Sequence, residues 1–329
     1  MEQETSHPSI ERARGAVKDV LPDVAYLRDR IVNLFFVGAP EGGDRSWTLV
    51  DAGLQGAADR IARAAAERFG PAARPAAIVL THGHFDHVGA LEPLAERWDV
   101  PVYAHELELP YLTGRSSYPP PDPTVGGGAM TFLSRLYPRG PIDLGARVRA
   151  LPADGAVPGM PGWRWIHTPG HTAGHVSLFR DRDRALIAGD AFVTTKQESA
   201  LAVLTQRPEM HGPPAYYTPN WEDAARSVAA LAALRPTVAA TGHGVPMYGP
   251  EMLQALEALA RDFRRRAVPA RGRYVGRPAV ADESGVVAVP PPVPDRLARV
   301  LVGAAVVGAV GLAAAVIRRR SDGADGMRG

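Results

Sequence analysis

The chain has 329 residues, 46% of them hydrophobic and 22% charged, which is globular composition and excludes a disordered or fibrous protein. Its 37 basic and 35 acidic residues leave a net charge of +2, too little for the basic footprint of a nucleic-acid binder. It has no cysteine, which excludes disulfides, thiolate metal ligands and a cysteine nucleophile together, so any metal must be held by nitrogen and oxygen.

Residues 1–20 read as a polar, partly helical lead-in with no apolar stretch suited to a signal peptide, which gives cytoplasmic location as the expectation. Short β-rich runs follow at Val24–Leu27, Ile31–Val37 and Trp47–Val50, and Asp51-Ala52-Gly53 closes the third. Ile61, Ala65 and Phe69 have helical spacing within Ala57–Phe69, and Gly70-Pro71 stops that helix. The apolar run Ala77–Leu80 suits a strand covered on both faces and delivers Thr81 and a histidine cluster. A helix over Leu91–Trp98, a strand over Val102–Ala104 and a short helix over Glu106–Leu112 come next. Residues 113–145 form a Gly- and Pro-rich insertion with one helix expected near Met130–Tyr137.

The second half repeats the rhythm without repeating the sequence. Strands are expected at Val148–Leu151, Trp163–Ile166, Val176–Phe179, Ala185–Ala188 and Val238–Ala240, with helices at Trp221–Leu234 and Glu251–Arg266. Two groups of strands, each followed by helices, predict an α/β fold of two packed sheets with helices outside. The domain spans 21–267, followed by a Pro-rich linker over 268–297, an apolar helix over 298–320 and a tail over 321–329. The uncharged run Val300–Ile317 would be about 27 Å long as a helix, the lower edge of a bilayer span. Its Ala and Gly content and the Arg318-Arg319-Arg320 that follows weigh against a span, so membrane anchoring and a docked helix both stay open.

The chemistry is concentrated in His82-Gly83-His84-Phe85-Asp86-His87, on a strand-to-helix loop. His82 and His84 are two apart and share one side of an extended segment, and Asp86 and His87 lie on the turn beyond. Imidazole with carboxylate suits a borderline divalent metal such as zinc, manganese or iron. Three more ligand-type residues stand at strand ends beside glycine: His171 in Thr168-Pro169-Gly170-His171-Thr172, Asp190 in Gly189-Asp190-Ala191, and His243 in Gly242-His243-Gly244.

Taken in order, these motifs resemble the metallo-β-lactamase superfamily over about residues 24–265, and the resemblance implies a four-layer αββα sandwich. It implies two divalent ions, zinc first, one held by His82, His84 and His171 and the other by Asp86, His87 and His243, with Asp190 between them. Asp51 would support the site without being a ligand, and the hydroxyls of Thr81 and Thr172 would fix its loops. Two divalent ions bring four positive charges against two from Asp86 and Asp190, which favours a bridging hydroxide as nucleophile, with Asp86 orienting it or shuttling its proton. His105, His167 and His175 read as structural or supporting, Tyr216, Tyr217 and His211 as loop packing, and Arg264-Arg265-Arg266 as a solvated helix end.

Within the superfamily the ligand set resembles glyoxalase II, although neither the Gly-Arg usual after the bridging Asp nor a glutathione-binding domain is recognisable. The resemblance therefore implies a hydrolase acting on a thioester, ester or lactone of a small molecule. An iron-dependent persulfide dioxygenase on the same fold and a non-catalytic metal-binding protein are the competing readings. Substrate specificity is expected to lie in the insertion 113–145 and the loop 205–219.

Overall fold

The computed structural model of the chain describes residues 17–294. Side chains along a strand point alternately to opposite faces, and here both faces are covered. Leu27, Leu34, Phe36, Leu49, Ile78 and Leu80 fall in one buried cluster; Val24, Tyr26, Phe35, Val37, Val50 and Val79, from the same strands, fall in another. Such strands must lie between two layers.

The first sheet has seven strands in sequence order, β1 (Lys18–Leu21), β2 (Val24–Asp29), β3 (Val32–Val37), β4 (Thr48–Val50), β5 (Ala77–Val79), β6 (Val102–Ala104) and β7 (Val148–Ala150). Neighbours are antiparallel up to β4 and parallel from β4 to β7. The second sheet contains β8 (Trp163–His167), β9 (Val176–Arg180), β10 (Ala185–Gly189), β11 (Val238–Thr241) and β12 (Met247–Tyr248), in the order β12-β11-β10-β9-β8. Only β10 and β11 pair in parallel.

Helices α1 (Ala58–Phe69) and α3 (Leu91–Trp98), separated by the single turn α2 (Phe85–Val88), pack on the outer face of the first sheet through Ile61, Ala65, Phe69, Leu91, Leu94 and Trp98. Trp47 anchors them, stacked on Phe69 at 4.5 Å and edge-on to Trp98 at 5.5 Å. Burying aromatic side chains of this size contributes about 1.5–3 kcal/mol each. After the short helices α4 (Leu109–Leu112), α5 (Ala129–Leu133) and α6 (Ala200–Thr205), the helices α7 (Trp221–Ala233) and α8 (Gly249–Arg261) cover the second sheet through Trp221, Val228, Leu231, Met252 and Leu256. Val176, Leu178, Ile187, Val238 and Ala240 meet the first sheet in the central cluster. The order of layers is helix, sheet, sheet, helix.

Several sequence expectations need correction. Lys18–Leu21, read as lead-in, is the edge strand β1 paired with β2, so the domain begins before residue 21. The helix expected over Glu251–Arg266 breaks at Asp262 into α8 and the single turn α9 (Phe263–Arg266). The helix expected near Met130–Tyr137 is α5 followed by a tighter turn over Ser134–Leu136.

The stretch from 268, read as a linker, packs on the domain over most of its described part. Tyr274 is buried and its hydroxyl donates to Pro120 O at 2.5 Å, Ala279 N donates to Pro219 O at 3.0 Å, and β13 (Val280–Asp282) pairs with β14 (Gly285–Ala288). Proline excludes a long helix here but not a strap held by its remaining backbone groups. Among the described residues no helix is long and apolar enough to cross a membrane, and the run 300–317 lies outside them.

Candidate metal centre

The strand ends that carry glycine and polar residues meet at one edge of the two sheets. Asp51 follows β4, Thr81 and His82 follow β5, Asp190 follows β10 and His243 follows β11. His171 sits on the turn from β8 to β9. The first hub is Asp51, fully buried. It accepts Thr81 N and Thr81 Oγ1, each at 2.8 Å, and His87 Nδ1 at 2.8 Å. One carboxylate thus fixes both ends of the hexapeptide.

The buried ligand atoms fall into three overlapping groups, each within 4.8 Å: His82, His84 and His171; His82, His87 and Asp190; Asp86, His87 and His243. All seven residues singled out in the sequence are therefore brought together. Asp190 Oδ2 lies 3.1 Å from His243 Nε2, 3.4 Å from His171 Nε2 and 3.7 Å from His87 Nε2. Asp86 Oδ2 is 3.5 Å from His243 Nε2.

The outward hydrogen bonds set the tautomers. His87 Nδ1 donates to Asp51, His243 Nδ1 donates to the Ile31 carbonyl at 2.6 Å, and His82 Nδ1 faces Thr81 Oγ1, whose proton is engaged by Asp51. His171 Nδ1 faces Thr218 Oγ1 at 3.4 Å, whose own proton goes to Pro214 O. Each ring then turns its Nε2 inward, and the partner behind the ring is what fixes a ligand's tautomer. His84 turns Nδ1 inward, 2.9 Å from His171 Nε2. His82 Nε2, His87 Nε2 and Asp190 Oδ1 are buried without a hydrogen-bond partner. Buried unpaired polar atoms are costly and rare, and their convergence with the other ligand atoms fits divalent cations.

Electrostatics divides the centre in two. Burial, reinforced by neighbouring imidazoles, pushes His82 and His84 well below the ordinary histidine range, and burial brings His171 to about 3. These rings are neutral and free to ligate. Burial opposes charge on His87 as well, but Asp51 and Asp190 outweigh it and hold its pKa well above the usual value; Asp190 and Asp86 likewise raise His243. Asp190 stays well below the carboxylate range because His243 and His87 overcome its burial, whereas burial raises Asp86. The second half of the site thus sets two imidazoles against two carboxylates.

Structural support came from residues that sequence reasoning missed. Glu108 is fully buried; its Oε1 accepts Thr172 Oγ1 at 2.7 Å and Gly174 N at 2.9 Å, and its Oε2 accepts Gly83 N at 2.9 Å and the Tyr118 hydroxyl. It joins the loop of His82 and His84 to the loop of His171. Asn33 donates to Thr241 O and Gly244 O and fixes the turn of His243. His175, read as supporting, accepts Asp190 N at 2.9 Å through Nε2, with Nδ1 against Thr168. A buried acid in a short helix or a lone Asn in a strand carries no spacing signal; only burial identifies them.

Tyr217, read as loop packing, stacks on His84 at 4.4 Å between ring centroids. With Tyr216, Tyr137, Phe85 and Pro214 it walls a space of about 10 Å³ beside Asp86, Asp190 and His243. His105 and His167 stack on each other at 4.2 Å, His211 pairs with Glu209, and Arg265 and Arg266 pair with Asp262.

Residues 27–243 match the family profile of the metallo-β-lactamase superfamily. The chain is 48% identical over 246 residues to the probable metallo-hydrolase YflN of Bacillus subtilis (strain 168), covering 75% of this chain and 93% of that protein. It is 28% identical over 215 residues to the probable metallo-hydrolase YybB of the same organism, covering 65% of this chain and 83% of the relative. A solved β-lactamase domain protein from Burkholderia ambifaria superposes with a TM-score of 0.52 at 19% identity, over 80% of this chain and 79% of that one, a likeness of fold alone.

Proposed function

The chain belongs to the metallo-β-lactamase superfamily and is a metallo-hydrolase, and from that premise we propose that it cleaves a small-molecule thioester, ester or lactone. The reading rests most on the ring nitrogens of five imidazoles that converge with the carboxylates of Asp86 and Asp190. In this reading His82, His84 and His171 hold one divalent ion, Asp86, His87 and His243 hold a second, and Asp190 serves both, with zinc first and manganese or iron acceptable to the same donors. Bound cations there supply an activated water at neutral pH and polarise a carbonyl oxygen.

The chain's own groups do the rest. Asp51, the Ile31 carbonyl and Thr218 keep the Nδ1 protons pointed away from the reacting side. Asp86, at 7% exposure the most open of the seven, lies on the small space beside Tyr137 and Tyr216, placed to orient a nucleophile and take its proton. Tyr216, Tyr217 and Phe85 keep bulk water from that space. The ligand set supports a glyoxalase II-like chemistry without implying glutathione as the carrier.

A panel of metal-reconstituted assays over thioesters, esters, lactones, phosphodiesters and β-lactams tests the reading. Turnover of an acyl substrate, abolished by His84→Ala and by Asp190→Ala without loss of the cooperative melt, is the expected result. Oxygen uptake with a persulfide substrate, and no acyl hydrolysis, would replace it with the dioxygenase reading.

A further inference from the structure

Behind His84 and His171 lies a second, much larger cavity of about 430 Å³. His84, His171 and Tyr217 belong both to its wall and to the small space beside the metal-ligand cluster. The two are therefore neighbours across one layer of side chains. That volume is within the range of small-molecule sites, about 300–1,000 Å³.

Its wall is assembled from four separate stretches of chain and from His84. Leu107, Tyr111 and Tyr118 come from the segment around α4, and Tyr274, Val280 and Ala281 come from the strap after α9. The strap is held over the cavity by the Tyr274 hydroxyl on Pro120 O and by Ala279 N on Pro219 O. The other two stretches run from His167 to Ala173 and from Tyr217 to Asp223. No lysine or arginine is among the lining residues. The one carboxylate there, Asp223, is already engaged by Asn220 Nδ2 and by Arg226.

A carboxylate-bearing carrier such as glutathione would find no lysine or arginine in this wall to offset its lost hydration. An aromatic ring or an alkyl chain would exchange water for Leu, Tyr, Pro and Val surface, at about 25 cal/mol per Å² buried. We propose that this cavity binds the uncharged, apolar group of the substrate, an alkyl or aryl acyl moiety, and that the strap residue Ala281 sets its length. The proposal rests on the acyl-hydrolase reading, but the cavity's preference for neutral apolar ligands stands independently of turnover.

Two measurements on the full chain test it. The neutral fluorophore N-phenyl-1-naphthylamine should bind saturably, and Ala281→Trp, which fills the cavity from the strap, should weaken that binding by about tenfold or more. Leu107→Trp, at a lining position outside the strap, provides a second variant that fills the same cavity. In p-nitrophenyl ester assays, the ratio of kcat/KM for octanoate over acetate should fall about tenfold in either variant. Probe binding that both variants weaken would support the cavity even in a protein that hydrolyses none of the esters, a result that defeats only the hydrolase reading. Unchanged probe affinity in folded variants, or a preference for a glutathione thioester over the neutral octanoyl ester, would overturn it.

Discussion

Replacing Glu108 with alanine removes a buried carboxylate that ties the His82–His84 loop to the His171 loop. Its two oxygens accept two backbone N–H groups, those of Gly83 and Gly174, and two hydroxyls, those of Tyr118 and Thr172. The hydroxyls can rotate to other acceptors, but the backbone donors are fixed by the loops that carry them. A buried donor left unpaired costs about 1–3 kcal/mol, so Glu108→Ala should lose about 2–6 kcal/mol, a large share of a typical domain stability of about 5–15 kcal/mol. Glu108→Gln keeps the shape and one acceptor oxygen, yet its amide must face one of the two backbone donors, which sets its loss near the lower end of that range. Because the loops hold His82, His84 and His171, metal affinity or turnover should also fall about 10–100-fold in the alanine variant, as for other groups that orient ligands. Urea denaturation of the purified variants, paired with metal analysis, measures both effects. If Glu108→Ala unfolded within about 0.5 kcal/mol of the parent and kept its metal, the assignment of Glu108 as the clamp would be wrong.

Two further outcomes follow from the same geometry. A Cβ at Gly242 would sit 2.1 Å from Asp190 Oδ1 and 2.8 Å from His87 Cε1, so Gly242→Ala must displace Asp190; kcat should drop about 100-fold while the melting profile is largely kept, as for other small misplacements of reacting groups, and near-parental kcat would contradict the packing. Arg180, 2% exposed, is held by Asp23 and Asp183; burial opposes ionisation of both carboxylates, but the guanidinium outweighs it and lowers both pKa values. Depressed carboxylate pKa values stabilise above the unfolded value near pH 4 and lose that contribution as the pH falls through the folded values. Asp23→Asn should therefore be less stable than the parent at pH 6, by about 1–2 kcal/mol, with the gap narrowing below pH 4. A gap independent of pH would exclude the ion pair as its source.

The centre was legible in the sequence because its chemistry is local. Six residues carry four ligand-type side chains from His82 to His87, and the remaining three stand beside glycines at strand ends. The buried strands were readable as well, since a short apolar run such as Ala77–Leu80, ended by polar residues, suits a strand covered on both faces. What escaped depends on long-range contact. Lys18–Leu21 becomes a strand only because β2 offers it an edge, and Glu108 differs from Glu106 only in being enclosed. The strap was misread because proline content reports the absence of helix, not the absence of packing. Tyr217 looked like loop filler until the fold brought it against His84.

The account depends on a two-cation centre, and metal stoichiometry addresses it most directly. Native mass spectrometry and elemental analysis of the full chain, purified without chelator, should find two divalent ions per chain. His171→Ala and His243→Ala, in folded protein, should each retain about one, and Asp190→Ala should weaken both. A single ion that survives His243→Ala unchanged, or a stoichiometry indifferent to all three substitutions, would contradict the centre described for these seven side chains.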